Sequence, residues 1–109
     1  MRIRLITTIL AVVLTAKLGT IQFNGHKETW YDLDMSNVIS RTDKAIGMTD
    51  LYNVREDGVK CYGPFVIVAA HPSVTRYTFV ETSLGTGIVL DTHTAKDKGL
   101  IDIATTWKE

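Results

Sequence analysis

Apolar positions in this chain fall mostly into short runs and alternations. Phe65 to Ala70 (FVIVAA) is a continuous apolar run between Gly63-Pro64 and His71-Pro72, the pattern of a strand buried on both faces. Ile88-Val89-Leu90 and Leu100-Ile101 are two further runs, and each ends on an acid, Asp91 and Asp102. Tyr77 to Thr82 alternates, and Leu84-Gly85-Thr86-Gly87 reads as a tight turn into 88–91. Leu51–Arg55 and Val59–Tyr62 are joined by Asp57-Gly58, a two-residue hairpin signal. Glu56 and Asp57 then sit at the tip as solvated turn acids. Met35, Val38, Ile39 and Ile46 fall near helical spacing. With Asp34 or Ser36 at the start and Gly47 at the stop, they predict a helix over about 35–45. Trp30 and Tyr31, just before it, suit core packing or stacking on sugar rings. The pattern predicts a mainly β domain with one short helix.

The first 16 residues read differently. Arg2 and Arg4 precede an apolar stretch without acids, Leu5 to Ala16, too short to span a bilayer comfortably. That is the pattern of a secretory signal or an uncleaved anchor, so the expected location is outside the cell or on its membrane. Residues 17–27 are polar, with an Asn24-Gly25 turn signal, and read as a linker. Residues 28–109 form the expected domain.

Charge narrows the partners. Twelve Lys and Arg balance twelve Asp and Glu. With no basic patch interleaved with aromatics, nothing points to nucleic acid. Cys61 is the lone cysteine, which excludes an internal disulfide and suits a small buried hydrophobe. A catalytic thiol would need a histidine beside it, and His71 is the candidate.

The chemistry gathers at the two acids. A buried strand that stops at a carboxylate sets it at a sheet rim, within a substrate's reach. Two such rims joined by one polar loop, Thr92 to Gly99, bring two carboxylates together, the arrangement used for acid/base work on sugars. Asp91-x-His93 with His71 also raises a metal site, although the three histidines match no zinc spacing, and no metal or other cofactor is expected.

These segments resemble the 3D (three-aspartate) domain, which is similar to the barrel of membrane-bound lytic transglycosylases and occurs in stationary-phase-survival wall proteins. Val68-Ala69-Ala70-His71-Pro72 resembles its V-A-x-D-P block, Val89-Leu90-Asp91-Thr92 its second block, and Leu100-Ile101-Asp102-Ile103 its third. His71 stands where the family has its first aspartate. His93 and Thr94 replace the glycines that follow the second, and 75–79 lacks the family's glycine turn. The resemblance covers the C-terminal 45 residues or so. It implies a small double-psi β-barrel acting on peptidoglycan glycan strands in the cell wall. On that reading Asp91 is the general acid/base giving 1,6-anhydro-muropeptides, and Asp102 positions it or raises its pKa. His71, His93, Lys96 and Lys98 would contact the glycan. The alternative is a non-catalytic glycan-binding barrel. The family's last strand has no counterpart after Trp107, so an open barrel edge is expected. The N-terminal segment or a second copy of the chain could fill it.

Overall fold

The computed structural model describes residues 21–107. The signal or anchor segment 1–16, and the linker up to residue 20, lie outside the described residues. In chain order the elements are β1 (Ile21–Phe23), β2 (His26–Tyr31), α1 (Ser36–Ile46), β3 (Tyr52–Val54), β4 (Lys60–Tyr62), β5 (Phe65–Ala70), β6 (Phe79–Thr82), β7 (Gly85–Thr92) and β8 (Ile101–Ala104). The domain is mainly β, with one helix among the described residues.

The apolar run Phe65–Ala70 is the hub. β5 pairs with β4 and β8 antiparallel and with β7 parallel. Val66, Ile67 and Val68 are completely buried, which explains why this strand carries no polar alternation. The path β1-β2-β8-β5-β4-β3 runs through it, with β7 and then β6 branching off. The sheet is therefore not closed into a barrel. Among the described residues β1, β3 and β6 each have a single neighbour and mark its edges.

Two expectations change at the N-terminal side. From Ile21 onward the supposed linker is a hairpin: Ile21 pairs with Glu28 and Phe23 with His26 around Asn24-Gly25. Both turn residues have positive φ, 50° and 85°, which asparagine and glycine tolerate best. β2 then lies parallel to β8, with Glu28 opposite Ile101 and Tyr31 opposite Ala104. β8 is thus covered on both sides, and the edge expected beyond Trp107 is not open.

Smaller corrections concern turns. The loop between β3 and β4 is three residues, Glu56-Asp57-Gly58, because the Arg55 N–H bonds the Val59 carbonyl at 2.9 Å. Gly58 takes the positive φ of 85° that ends such a loop. Asp57 is not a solvated acid: it holds the Arg55 guanidinium at 2.6 Å, and its carbonyl accepts Trp107 Nε1–H at 2.7 Å. β7 begins at Gly85, so Ser83-Leu84 form the turn.

α1 forms one residue later than expected. Asp34 Oδ1 accepts the Ser36 N–H at 2.9 Å before its first turn. Gly47, at φ 78°, closes the last turn with its N–H on the Asp43 carbonyl. Met35 and Val38 pack on Ile67, Ile88, Leu90 and Ala104, so the helix covers one sheet face. Burying a side chain such as Ile67 or Leu90 stabilises by about 1.5–3 kcal/mol. The opposite face packs Val59, Cys61, Val66, Val68, Val89 and Ile103 together. Cys61 belongs to that core. Burial pushes its thiol up, and its Sγ sits 3.7 Å from the Val59 carbonyl, with no histidine beside it.

Candidate functional site

Asp91 and Asp102 lie on strands either side of β5, and Ala69 is paired with both. Residues paired across adjacent strands point to the same face of a sheet. On β8 and β2 the alternation places Asp102, Thr29 and Tyr31 on the α1 side, where Tyr31 packs against the Ile67–Leu90 cluster. On β7 plain alternation would send Asp91 the other way, with Val89. The register corrects this. Val68 pairs with Val89 and Ala69 with Asp91, so Leu90 is an extra residue in the β7 strand. Such a bulge turns the following side chain to the opposite face. It brings Asp91 round to the side of Asp102. The Leu90 carbonyl accepts Arg41 Nη2–H at 2.9 Å, so α1 holds the bulge in place.

Each carboxylate has its own donors. Tyr31 Oη–H donates to Asp91 Oδ2 at 3.3 Å, and the Thr92 N–H to Asp91 Oδ1 at 2.9 Å. Thr29 Oγ1–H donates to Asp102 Oδ1 at 2.8 Å. Burial pushes the Asp102 carboxyl above its ordinary range. The negative charge of Asp91 acts in the same direction, while the Thr29 hydrogen bond and His93 act against it. Burial also pushes the Tyr31 hydroxyl well above the usual tyrosine range, aided by the charges of Asp91 and Asp102. Tyr31 therefore stays a proton donor at any working pH.

The histidines form the rim. The His93 N–H bonds the Ala70 carbonyl at 3.0 Å, which keeps the loop after β7 against the end of β5. A carbonyl can only accept, so His93 Nε2 carries a proton toward Leu100 O at 2.7 Å, and Nδ1 accepts the Ala95 N–H at 3.2 Å. Both ring nitrogens are thus occupied by backbone. His71 accepts the Ser73 N–H at Nδ1, and its ring meets that of His93 edge-on at 6.3 Å. Lys96 and Lys98 are exposed on the Thr92–Gly99 loop and form no ion pair with either carboxylate. Among the described residues no group of three His, Cys, Asp or Glu converges in a way that could hold a metal ion.

The structure thus brings together Asp91 and Asp102, with His71 and His93 paired at the edge, and leaves the two lysines outside. Thr29 and Tyr31 were not foreseen as carboxylate partners. The cue available was the alternation of 26–31, which put both on one face, but nothing local announced that this face would meet β8. Trp30, on the other face, rests 6.2 Å from Trp107 as core packing. A scan against models of known protein families, a search of curated proteins and a search of solved structures each found no match to this chain.

Proposed function

We propose that the chain cleaves peptidoglycan glycan strands at the cell wall as a lytic transglycosylase, with Asp91 and Asp102 as its acid/base pair. The observation that carries this reading is the Leu90 bulge, which turns Asp91 onto the face of Asp102 beside a half-buried tyrosine. With Ala69 between them, the two backbone positions are two strand spacings apart, roughly 9–10 Å. That separation lies near the wide end of the range for carbohydrate-cleaving carboxylate pairs, roughly 5–9.5 Å. The sheet of the described residues is open, but its two parallel pairs, β2–β8 and β5–β7, require crossing connections of the kind that also build a double-psi barrel.

The roles follow from the surroundings. Asp102, whose neutral form burial favours, is assigned the proton transfer to the leaving glycosidic oxygen, made from the protonated fraction of the protein. Asp91 accepts hydrogen bonds from Tyr31 and Thr92, as a carboxylate does, and faces the developing positive charge at the anomeric carbon. The bond from that carbon to the leaving oxygen breaks as the muramoyl 6-hydroxyl attacks. Asp91 takes the 6-hydroxyl proton, the 1,6-anhydro ring closes, and both carboxyls return to their starting states by exchange with water. This gives Asp102 the first proton transfer that the resemblance assigned to Asp91.

Mass spectrometry of fragments released from purified peptidoglycan tests the reading. Wild-type protein should release anhydro-muropeptides, and Asp102→Asn and Asp91→Asn should release none. Reducing-end products would mean hydrolysis by water instead. No product from wild type, with the protein still sedimenting with the wall, would replace the enzyme with the non-catalytic glycan-binding module.

A further inference from the structure

β3 is an edge with unusual exposure. Tyr52, Asn53 and Val54 are all exposed, Tyr52 at 38% and Val54 at 47%, although two of the three are large and apolar. Natural edges are normally blunted by lysine, proline, a bulge or a covering loop. This strand has none of these. Its neighbouring cation, Arg55, is turned inward onto Asp57 and the Leu84 carbonyl.

The hydrogen-bond phase of the β3–β4 hairpin shows which backbone groups are free. The Arg55 N–H bonds the Val59 carbonyl, and the Gly63 N–H bonds the Leu51 carbonyl. Residues 51, 53 and 55 therefore aim their backbone groups at β4, because narrow and wide pairs alternate along an antiparallel ladder. Tyr52 and Val54 aim theirs outward. Two N–H and two C=O groups on one short edge thus have no strand beside them among the described residues.

We propose that β3 is a self-association surface, where a second copy of this chain adds antiparallel across a two-fold axis at Asn53. In that register Tyr52 faces Val54 of the partner subunit, and each pair exchanges both of its N–H···O bonds. Four main-chain hydrogen bonds result, and every outward group of β3 is used. Within 51–54 no charges stand in opposition, and the first acids that the two-fold sets against each other, Asp50 and Glu56, lie beyond the paired strand. That electrostatic match, with the two-fold match of donors to acceptors, favours a second copy over a charged partner. Each Tyr52 ring lies against the Val54 of the other copy. Leu33, exposed at 47%, lines an open hollow of about 320 Å³ beside the edge with Tyr52, Met35 and Ile39, where Asp34, Ser36 and Lys60 add polar groups. The strand is short and the shared area small, so the dimer is weak and concentration-dependent. The inference stands apart from the catalytic reading.

Analytical ultracentrifugation of the full chain, combined with directed cross-linking, tests it. Wild-type average mass should rise from monomer toward dimer as concentration increases. Val54→Pro, which removes an outward N–H at an edge position that tolerates proline, should abolish the rise while leaving the circular dichroism spectrum intact. Tyr52→Lys should do the same and serves if the proline variant fails to fold. Asn53→Cys should form a covalent dimer on mild oxidation, because residue 53 meets its own copy at the axis. It is made in a Cys61→Ala background, since Cys61 lies opposite Asn53 in the same hairpin. A wild-type chain that stays monomeric at roughly 1 mM overturns the proposal. So does a dimer that survives both edge substitutions, which would place the contact elsewhere. A folded Cys61→Ala/Asn53→Cys protein that does not cross-link overturns the register.

Discussion

The Thr29–Asp102 hydrogen bond gives a test of the site that needs no substrate. Thr29→Val keeps shape and volume close while removing the 2.8 Å donor from a partly buried carboxylate. Hydrogen bonds to charged groups contribute about 1.5–3 kcal/mol, and Asp102 is only partly buried, so about 1–2 kcal/mol is the expected loss at neutral pH. In a domain of this size that lowers Tm by about 5–10 °C. The sign with pH is fixed by the raised Asp102 carboxyl. A carboxyl whose folded pKa lies above its unfolded value contributes stability that is complete below the unfolded pKa and lost as pH rises through the folded one. Removing Thr29's hydroxyl raises the folded value further, because that bond favours the charged form. The penalty should therefore be present at pH 7 and shrink below about 0.5 kcal/mol at pH 3, where Asp102 is protonated in both proteins. Carbon-13 NMR of labelled aspartate carboxyls follows the titration directly, and thermal melts at the two pH values follow the energy. Asp91→Asn should move the Asp102 titration the opposite way, by removing a like charge. An Asp102 carboxyl that titrates lower in Thr29→Val than in wild type, or a variant equally destabilised at both pH values, would refute the reasoning.

Other perturbations probe the frame around the site. Ser83→Ala strips a hydroxyl donor from the fully buried Glu28, leaving the Ser83 N–H and His26, and should cost about 1–3 kcal/mol in urea unfolding. A change below about 0.3 kcal/mol would mean that Glu28 finds another donor. Gly58→Ala should destabilise by more than about 1 kcal/mol, because the new Cβ would lie 2.7 Å from Thr106 Oγ1 at a φ of 85°. An unchanged melting temperature would contradict that contact. The Cys61 thiol should resist a thiol-specific disulfide reagent at pH 8 until denaturant is added, since it is 1% exposed and burial raises its pKa. Arg41→Met should release the Leu90 carbonyl and cost about 1–2 kcal/mol, with the largest backbone chemical-shift changes at Leu90 and Asp91.

Local signals in the sequence were read well where local physics decides the structure. The helix, the buried run at Phe65–Ala70 and both asparagine- or aspartate-glycine turns lie where propensity and patterning put them, within a residue or two. What escaped notice is non-local. Strand register follows from which faces become buried, not from the strand's own residues, so the alternating His26–Tyr31 could not announce β8 as its neighbour. The Leu90 bulge is the sharper case. Ile88 to Asp91 reads as an apolar run ending on an acid, and the regular geometry of a strand would put Asp91 on the Val89 face. Only the simultaneous demands of β5 and α1 insert the extra residue. The connector reading of 21–27 failed for a related reason: a short polar hairpin looks like a linker until a sheet edge is there to receive it.

The parallel pairing of β2 with β8 has a consequence for how the molecule comes into being. Thr29 and Asp102 touch across 73 positions of chain. Until the last of β8 has emerged from the ribosome, β2 lacks its inner neighbour and β5 lacks one of its three. A growing chain therefore holds its hairpins ready but cannot lock them, and it presents two unpaired strand margins to the cell in the meantime. Folding of the sheet as a whole waits for Ile101–Ala104 to take its place between β2 and β5.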